Sequence, residues 1–479
     1  MKPQASSIRI LSSALCLMLA SCAMGPNYQR PTVDNPTDWR WKKAEPRDEA
    51  SKGPWWELFC DTQLNDLQEK AIAGNQNLRA AIARVDQSRA TARVSKSELL
   101  PTLAANPSWD RYRTTAHGNP QRGIIMPTQT VSNFSIPLDL SYEIDIWGKV
   151  RRGFESSRNE FLASAAAYQN ILFTLQADVA LNYFQLRAVD REIDILGQAV
   201  KLREENAALF KSRFDAGYSS ELDVSSTITE LNSAKASLAD AKRRRALYES
   251  AIAVLCGQPS SRFEIAPALI NLNPPQVSPG LPSELLERRP DVAQAERTLA
   301  ARNAEIGVAY AAFFPSVRLT ASGGLQSAEL SDLFSWESRV WSFGPSISLP
   351  IFSAGRNAAG LEKAKAAYEE AIANYRQSIL VAFQDVDNAL AGLRFLQEQS
   401  EAQNGALASS RKSADISLTR YKNGIASYLD VINAERSRLA EELSSVQIDS
   451  QRMTTTVLLV KAIGGGWNPP PTEQQAKQP

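Results

Sequence analysis

Apolar residues recur at threes and fours from Leu64 to Leu99, as Leu64, Leu67, Ala71, Leu78, Ala81, Ile82 and Val85, with no internal proline. That spacing predicts a helix. Pro101 ends it, because a proline pushes the residue before it out of the helical region. A longer proline-free stretch from about Val150 to Arg213 predicts a second helix, roughly 95 Å long at ~1.5 Å per residue. Glu221 to Leu255 reads as a return helix. Between Pro101 and Gly148 the period becomes two: Phe134, Ile136, Leu138, Leu140, Tyr142, Ile144 and Ile146 alternate with Ser135, Pro137, Asp139, Ser141, Glu143 and Asp145. One apolar and one polar face over about ten residues is the pattern of a membrane-barrel strand. A half-buried strand of a soluble sandwich is the plainer reading, but four strands in two hairpins make a poor sandwich.

The whole order returns later in the chain. Helical patterns recur over Glu284–Phe313, Arg356–Tyr421 and Tyr428–Ile463. Val317, Leu319 and Ala321, then Phe343, Ile347, Leu349 and Ile351, restate the alternation. The phrase from Phe214 to Val224 (FDAGYSSELDV) reappears from Tyr421 to Val431 (YKNGIASYLDV), an offset of 207 residues. Gly148-Lys149 answers Gly355-Arg356 at the same offset, whereas Leu99 to Thr102 answers Phe313 to Ser316 at 214. The Pro-to-Gly gap is 47 positions in the first copy and 40 in the second, so an exposed hairpin loop is expected there. A period near 207 is too long for a solenoid and implies two domain-sized copies. The expected organisation is residues 1–21 signal peptide, 22–60 N-terminal arm, 61–258 first repeat (hairpin about 102–147), 284–464 second repeat (hairpin about 316–353) and 465–479 tail.

The chain ends add a compartment. Lys2 and Arg9 precede an apolar run from Ile10 to Ala20, too short for the ~20 residues of a spanning helix and typical of a secretory signal. Leu19-Ala20-Ser21-Cys22 fits a bacterial lipobox, in which the Cys22 thiol is acylated; an ordinary signal that happens to contain a cysteine is the alternative. Ala23 after the cysteine favours outer-membrane sorting, by analogy with bacterial lipoproteins. Cys60 and Cys256 remain in the mature chain, and two isolated cysteines make no disulfide framework.

Charge and composition mainly exclude. With 53 basic and 52 acidic residues, no bulk attraction to nucleic acid is implied. Lys242 to Arg245 reads as a solvated helix face. The single histidine, His117, lies in a Gly/Pro-rich loop stretch, and no metal-spaced Cys/His cluster or phosphate-binding glycine loop accompanies it. Met24, Met126 and Met453 are too scattered for a copper relay. Gly464 to Gly466 reads as a helix cap and break. No enzyme, metal site or cofactor is expected beyond a covalent lipid on Cys22.

Four strands per chain cannot close a barrel, and open edges are not tolerated in lipid. Two chains would give eight strands with a filled interior; three would give twelve and room for water. A trimer is the natural count, with tetramers left open. Helices entering that ring would continue it into the periplasm.

The chain resembles the outer-membrane efflux lipoproteins of the TolC superfamily, of the OprM/NodT type. The motifs that carry the likeness are Cys22 to Pro31 (CAMGPNYQRP), Trp55-Trp56, Arg288 to Val292 (RRPDV) and Gly424 to Val431. The resemblance implies a trimeric 12-stranded transmembrane β-barrel continued by a long periplasmic α-barrel. It implies a passive exit channel for drugs or other small molecules, served by a periplasmic adaptor and an inner-membrane resistance-nodulation-division pump. It also places the repeated phrase at the periplasmic tip, with turn glycines Gly217 and Gly424, and makes the second-copy turn an iris-like gate. Tyr421 matches the family's hydrogen-bonding tyrosine and Asp430 an aspartate ringing the constriction. Asn433 stands where some members have a second aspartate, and Ala426 where some have arginine. Asp223 is the first-copy counterpart of Asp430; for both, helix N-terminal capping is the competing role. The exit duct of a type I protein-secretion system is one alternative, and a periplasmic coiled-coil scaffold without a pore is another.

Overall fold

The computed structural model describes residues 23–33, 36, 38–41, 53–115, 128–277 and 288–465. Seven helices and five strands account for most of them: α1 Thr62–Gly74, α2 Gln76–Ser97, β1 Thr102–Ala105, β2 Ser108–Arg113, β3 Thr130–Ile144, α3 Lys149–Asp215, α4 Glu221–Leu255, α5 Pro290–Ala311, β4 Ser316–Ser327, β5 Arg339–Ser348, α6 Arg356–Lys422 and α7 Tyr428–Ala462. The chain is mostly helical and built twice over. Long helices α3 and α6 have 67 residues each, and return helices α4 and α7 have 35 each. The contacts separate into one unit within residues 1–31, 85–164 and 295–374 and another within 32–84, 165–294 and 375–479.

The first unit holds the sheet. β3 pairs antiparallel with β4, and β4 with β5, while β1 and β2 both pair with β3. β1 and β2 keep one register against β3, with Ala105 opposite Leu138 and Ser108 opposite Ser135. They are one strand interrupted at Asn106-Pro107, where proline has no N–H to donate to the ladder. The register collects Leu103, Trp109, Phe134, Leu138, Val317, Trp341, Phe343 and Ile347 on one face. Asp139, Ser322 and Ser342, with Glu143, Arg318 and Ser346, lie on the other. Trp109, Trp341, Phe343 and Ile347 are 61–84% exposed, far more contiguous apolar surface than a soluble sheet leaves bare.

Hairpin length differs from the expectation of a loop alone. Residues 114–129 separate β2 from β3 and 328–338 separate β4 from β5, a difference of five. The remaining two of the seven extra positions arise because β3 is five residues longer than β5 while its exit to the helix is three shorter.

The second unit is packed around Trp55, Leu64, Tyr183, Phe184, Leu186 and Ile252, each 1% exposed or less. The helix expected to run unbroken from Leu64 to Leu99 divides at Asn75. Asn75 has extended backbone, its Oδ1 accepts from the Leu78 N–H at 2.9 Å, and its Nδ2 donates to the Leu255 carbonyl at 2.9 Å. It caps α2 and ties it to the end of α4, a contact that the apolar period cannot reveal because it continues in phase across the break. The helix expected from Glu284 is described only from Pro290, whose missing N–H suits a first helical position. Trp39 packs edge-on against Phe383 and Trp41 against Phe395, so this part of the N-terminal arm is seated on α6. Fully buried Arg187 is held by Asp190 at 2.6 Å and the Ala266 carbonyl at 2.9 Å, while Arg245 shares Asp190 at 2.7 Å. Such a group is tolerated inside only because its charges are paired. Burial pushes the Cys256 thiol up to about 11, and Cys60 is exposed.

Candidate functional site

The two repeated turns share one backbone. α3 ends at Asp215, and Gly217 takes φ +80 while Tyr218 N–H donates to the Arg213 carbonyl at 2.7 Å. α6 ends at Lys422, and Gly424 takes φ +73 while Ile425 N–H donates to the Arg420 carbonyl at 2.9 Å. A left-handed glycine just past the last turn lets the following N–H groups satisfy orphan carbonyls. The return helix then starts in the same way. Ser220 and Ser427 are N-caps, and Asp223 and Asp430 close the capping boxes. The Ser427 N–H and Oγ donate to Asp430 Oδ2 at 3.0 and 2.9 Å; the Ser220 pair reaches Asp223 at 3.1 and 2.8 Å. Asp430 is exposed, as is Asn433 on α7, while Asp223 is half-buried.

The side chains then differ. Ser219 Oγ adds a third donor to Asp223 at 3.2 Å, where the second copy has Ala426. The Ser220 hydroxyl, then the Ser220 N–H, hold the Asp223 carboxyl below the usual carboxylate range. Tyr421 leaves its own copy: Arg213 Nη1 donates to its hydroxyl at 2.8 Å. Phe210 of α3, 3% exposed, meets Tyr428 with ring centroids 4.1 Å apart and Tyr421 at 6.5 Å. Burial, ahead of neighbouring Tyr421 and Glu435, pushes the Tyr428 hydroxyl up to about 12. At the corresponding positions of the other copy stand Phe214 for Tyr421, Glu221 for Tyr428 and Ser417 for Phe210.

A charged contact follows on the same helices. Arg203 of α3 pairs with Glu230 of α4 at 3.3 Å and donates to its carbonyl at 3.1 Å. Arg436 of α7 donates to the same carboxylate, with Nε at 2.7 Å. Glu230 is 8% exposed, and a cavity of about 40 Å³ beside it is lined by Leu202, Thr227, Tyr428 and Ile432 among others. Of the sequence-predicted residues, Tyr421 alone is shown bonded across the copies. Phe210, Arg213, Glu230, Tyr428 and Arg436 were not singled out. All but Arg213, which Arg420 answers, stand where the two copies diverge, whereas the repeat itself is marked by likeness. Both turns also expose apolar side chains, Tyr218 at 86% and Ile425 at 67%. Cys22 and His117 lie outside the described residues. Among the described residues no group of three or more His, Cys, Asp or Glu could hold a metal ion, and no helix is long and apolar enough to cross a membrane.

The arrangement can therefore bind one helical hairpin to another through an aromatic clasp and a shared carboxylate. The family described as "Outer membrane efflux protein" matches residues 67–258 and 281–465. Outer membrane protein OprJ of Pseudomonas aeruginosa is 32% identical over 465 residues, covering 95% of each chain. Cation efflux system protein CusC of Escherichia coli is 30% identical over 468 residues, 96% of this chain and 100% of the relative. Among solved structures, the Campylobacter jejuni CmeC outer membrane channel superposes with a TM-score of 0.89 at 26% identity, covering 95% of this chain and 97% of that one.

Proposed function

The chain belongs to the outer membrane efflux protein family and resides in the outer membrane, and from that premise we propose that it is the passive exit channel of a tripartite efflux pump. The observation that carries this reading is the sheet. It has one exposed apolar face and one polar face, and among the described residues β1/β2 and β5 pair on one side only. Backbone groups on a free edge are costly in lipid. A homotrimer joins those edges into twelve strands, with the apolar face toward lipid and the polar face toward a water-filled lumen. The helices continue the duct, and a periplasmic adaptor connects it to an inner-membrane resistance-nodulation-division pump that supplies the energy. An acyl chain on Cys22 adds an anchor in the same membrane.

The second-copy turn is the gate. Tyr421 and Tyr428 hold it against the first copy's Phe210 and Arg213, and Asp430 and Asn433 face the passage near the axis. The capping box orders Asp430, and three such carboxylates around one axis favour cations at the constriction. Single-channel recording of the purified protein in planar bilayers tests this reading. Asp430→Ala and Tyr421→Phe should each raise conductance severalfold over wild type. Unchanged conductance in both removes the gate, and a protein that never conducts removes the channel.

A further inference from the structure

Residues Ala23–Arg30 cross the junction where β3 passes into α3 and α5 passes into β4. Both their backbone and their side chains are held. The Met24 N–H donates to the Trp147 carbonyl at 2.9 Å, and Asn303 Nδ2 donates to the Pro26 carbonyl at 2.9 Å. Arg152 Nη2 donates to Asn27 Oδ1 at 2.7 Å, and Arg30 pairs with Glu296 at 3.5 Å. Asn303 and Arg152 are 2% and 5% exposed. The chains approach too closely for side chains. A Cβ on Gly25 would lie 2.6 Å from the Gly307 Cα, one on Gly307 2.7 Å from the Met24 carbonyl oxygen, and one on Gly148 2.8 Å from the Ala23 Cα.

The other copy has the same junction but no such seat. Helices α2 and α5 correspond residue for residue, so Gly307, Asn303 and Glu296 are answered by Arg93, Arg89 and Ile82. Arg152 is answered by Ala359. Gly355, the counterpart of Gly148, has nothing within 4 Å of where its Cβ would stand. An arginine at position 93 would occupy the path that Gly307 leaves open. The copies diverge at the residues the arm touches.

We propose that residues 23–30 form a strap, held by close backbone approach and by side-chain bonds, whose seat selects one of the chain's two sheet–helix junctions and so fixes where the anchor at residue 22 meets the membrane. The seat, not the lipid, positions the strap. In a ring of several copies the anchors then fall at every second junction. Acylation of Cys22 is taken from the proposed function; the seat stands without it.

Hydrogen exchange of the full-length, detergent-extracted protein, read by mass spectrometry over residues 23–30, tests the strap. Wild type should show a slowed Met24 amide. Gly307→Ala, which drives a methyl into the Met24 carbonyl, should speed exchange roughly tenfold. Asn27→Ala, a change on the strap itself that spares the helices, should speed it about fivefold. Gly153→Ala, in the same α3 with open space around it, should match wild type. Cys22→Ser should lose the lipid mass and keep the protection. Wild-type exchange in both Gly307→Ala and Asn27→Ala overturns the seat, as does loss of protection in Cys22→Ser. A wild-type protein without lipid mass but with protection overturns the proposed acylation and supports the seat.

Discussion

From Phe214 to Val224 and from Tyr421 to Val431 the chain makes the same turn twice, with a left-handed glycine, a serine cap and an aspartate closing the box. Among the letters the two phrases share, the glycine, the serine and the aspartate make the turn. Most of what binds the second turn to the first copy lies at positions where the copies differ: Tyr421 against Phe214, Tyr428 against Glu221, and Arg436 against Thr229, with Arg213, answered by Arg420, the exception. Likeness between repeats therefore locates a fold requirement, and divergence locates what one repeat does that the other does not. The N-terminal strap follows the same rule at the sheet–helix junctions.

Three pairs of substitutions can break or sharpen this comparison. The largest effect is expected at Glu230, which serves both copies. Glu230→Ala strands Arg203, whose side chain is 15% exposed, and should cost roughly 3 kcal/mol in denaturant unfolding. Ser437→Ala, at the corresponding exposed position of α7, should stay within about 0.5 kcal/mol. Equal losses would mean the copies are not distinguished at this level. Next come the caps. Ser220→Ala and Ser427→Ala should each cost about 1 kcal/mol, and a marked inequality would refute the equivalence of the two backbones.

The smallest effect is a pH dependence in the first turn. The folded Asp223 carboxyl lies below its unfolded range, so its stabilisation is present above that range and fades as pH falls through the folded value. The stability gap between wild type and Asp223→Asn should therefore shrink between pH 6 and pH 3, and Ser219→Ala should begin that loss at slightly higher pH. A gap that widens on acidification would reverse the assignment.

Much of the architecture was readable because it is local. Helix periods, the alternation from Phe134 to Ile144, and the glycines at 217 and 424 each act within a few residues of themselves. The misreadings have a common cause. The break at Asn75 depends on the distant Leu255 carbonyl, and the extra hairpin residues were divided between strand, loop and exit by strand pairing. Asp430 was legible as part of a turn motif, and the capping box is what its spacing from Ser427 encodes. The clasp of Phe210 with Tyr428 was not legible, since nothing along the chain says that residues more than two hundred positions apart will meet.

The sequence by itself determined the duplication, the helical and strand classes of each copy, the family and the turn geometry. These follow from backbone sterics and short-range hydrogen bonds, which the order of residues specifies directly. Only the tertiary structure decided that Glu230 is shared, that Arg213 reaches Tyr421, and that three glycines leave a path for the strap at one junction and not the other. Those are matters of distance between segments far apart in the chain, and where a contact is buried, as at Glu230, the exclusion of competing water adds to its strength.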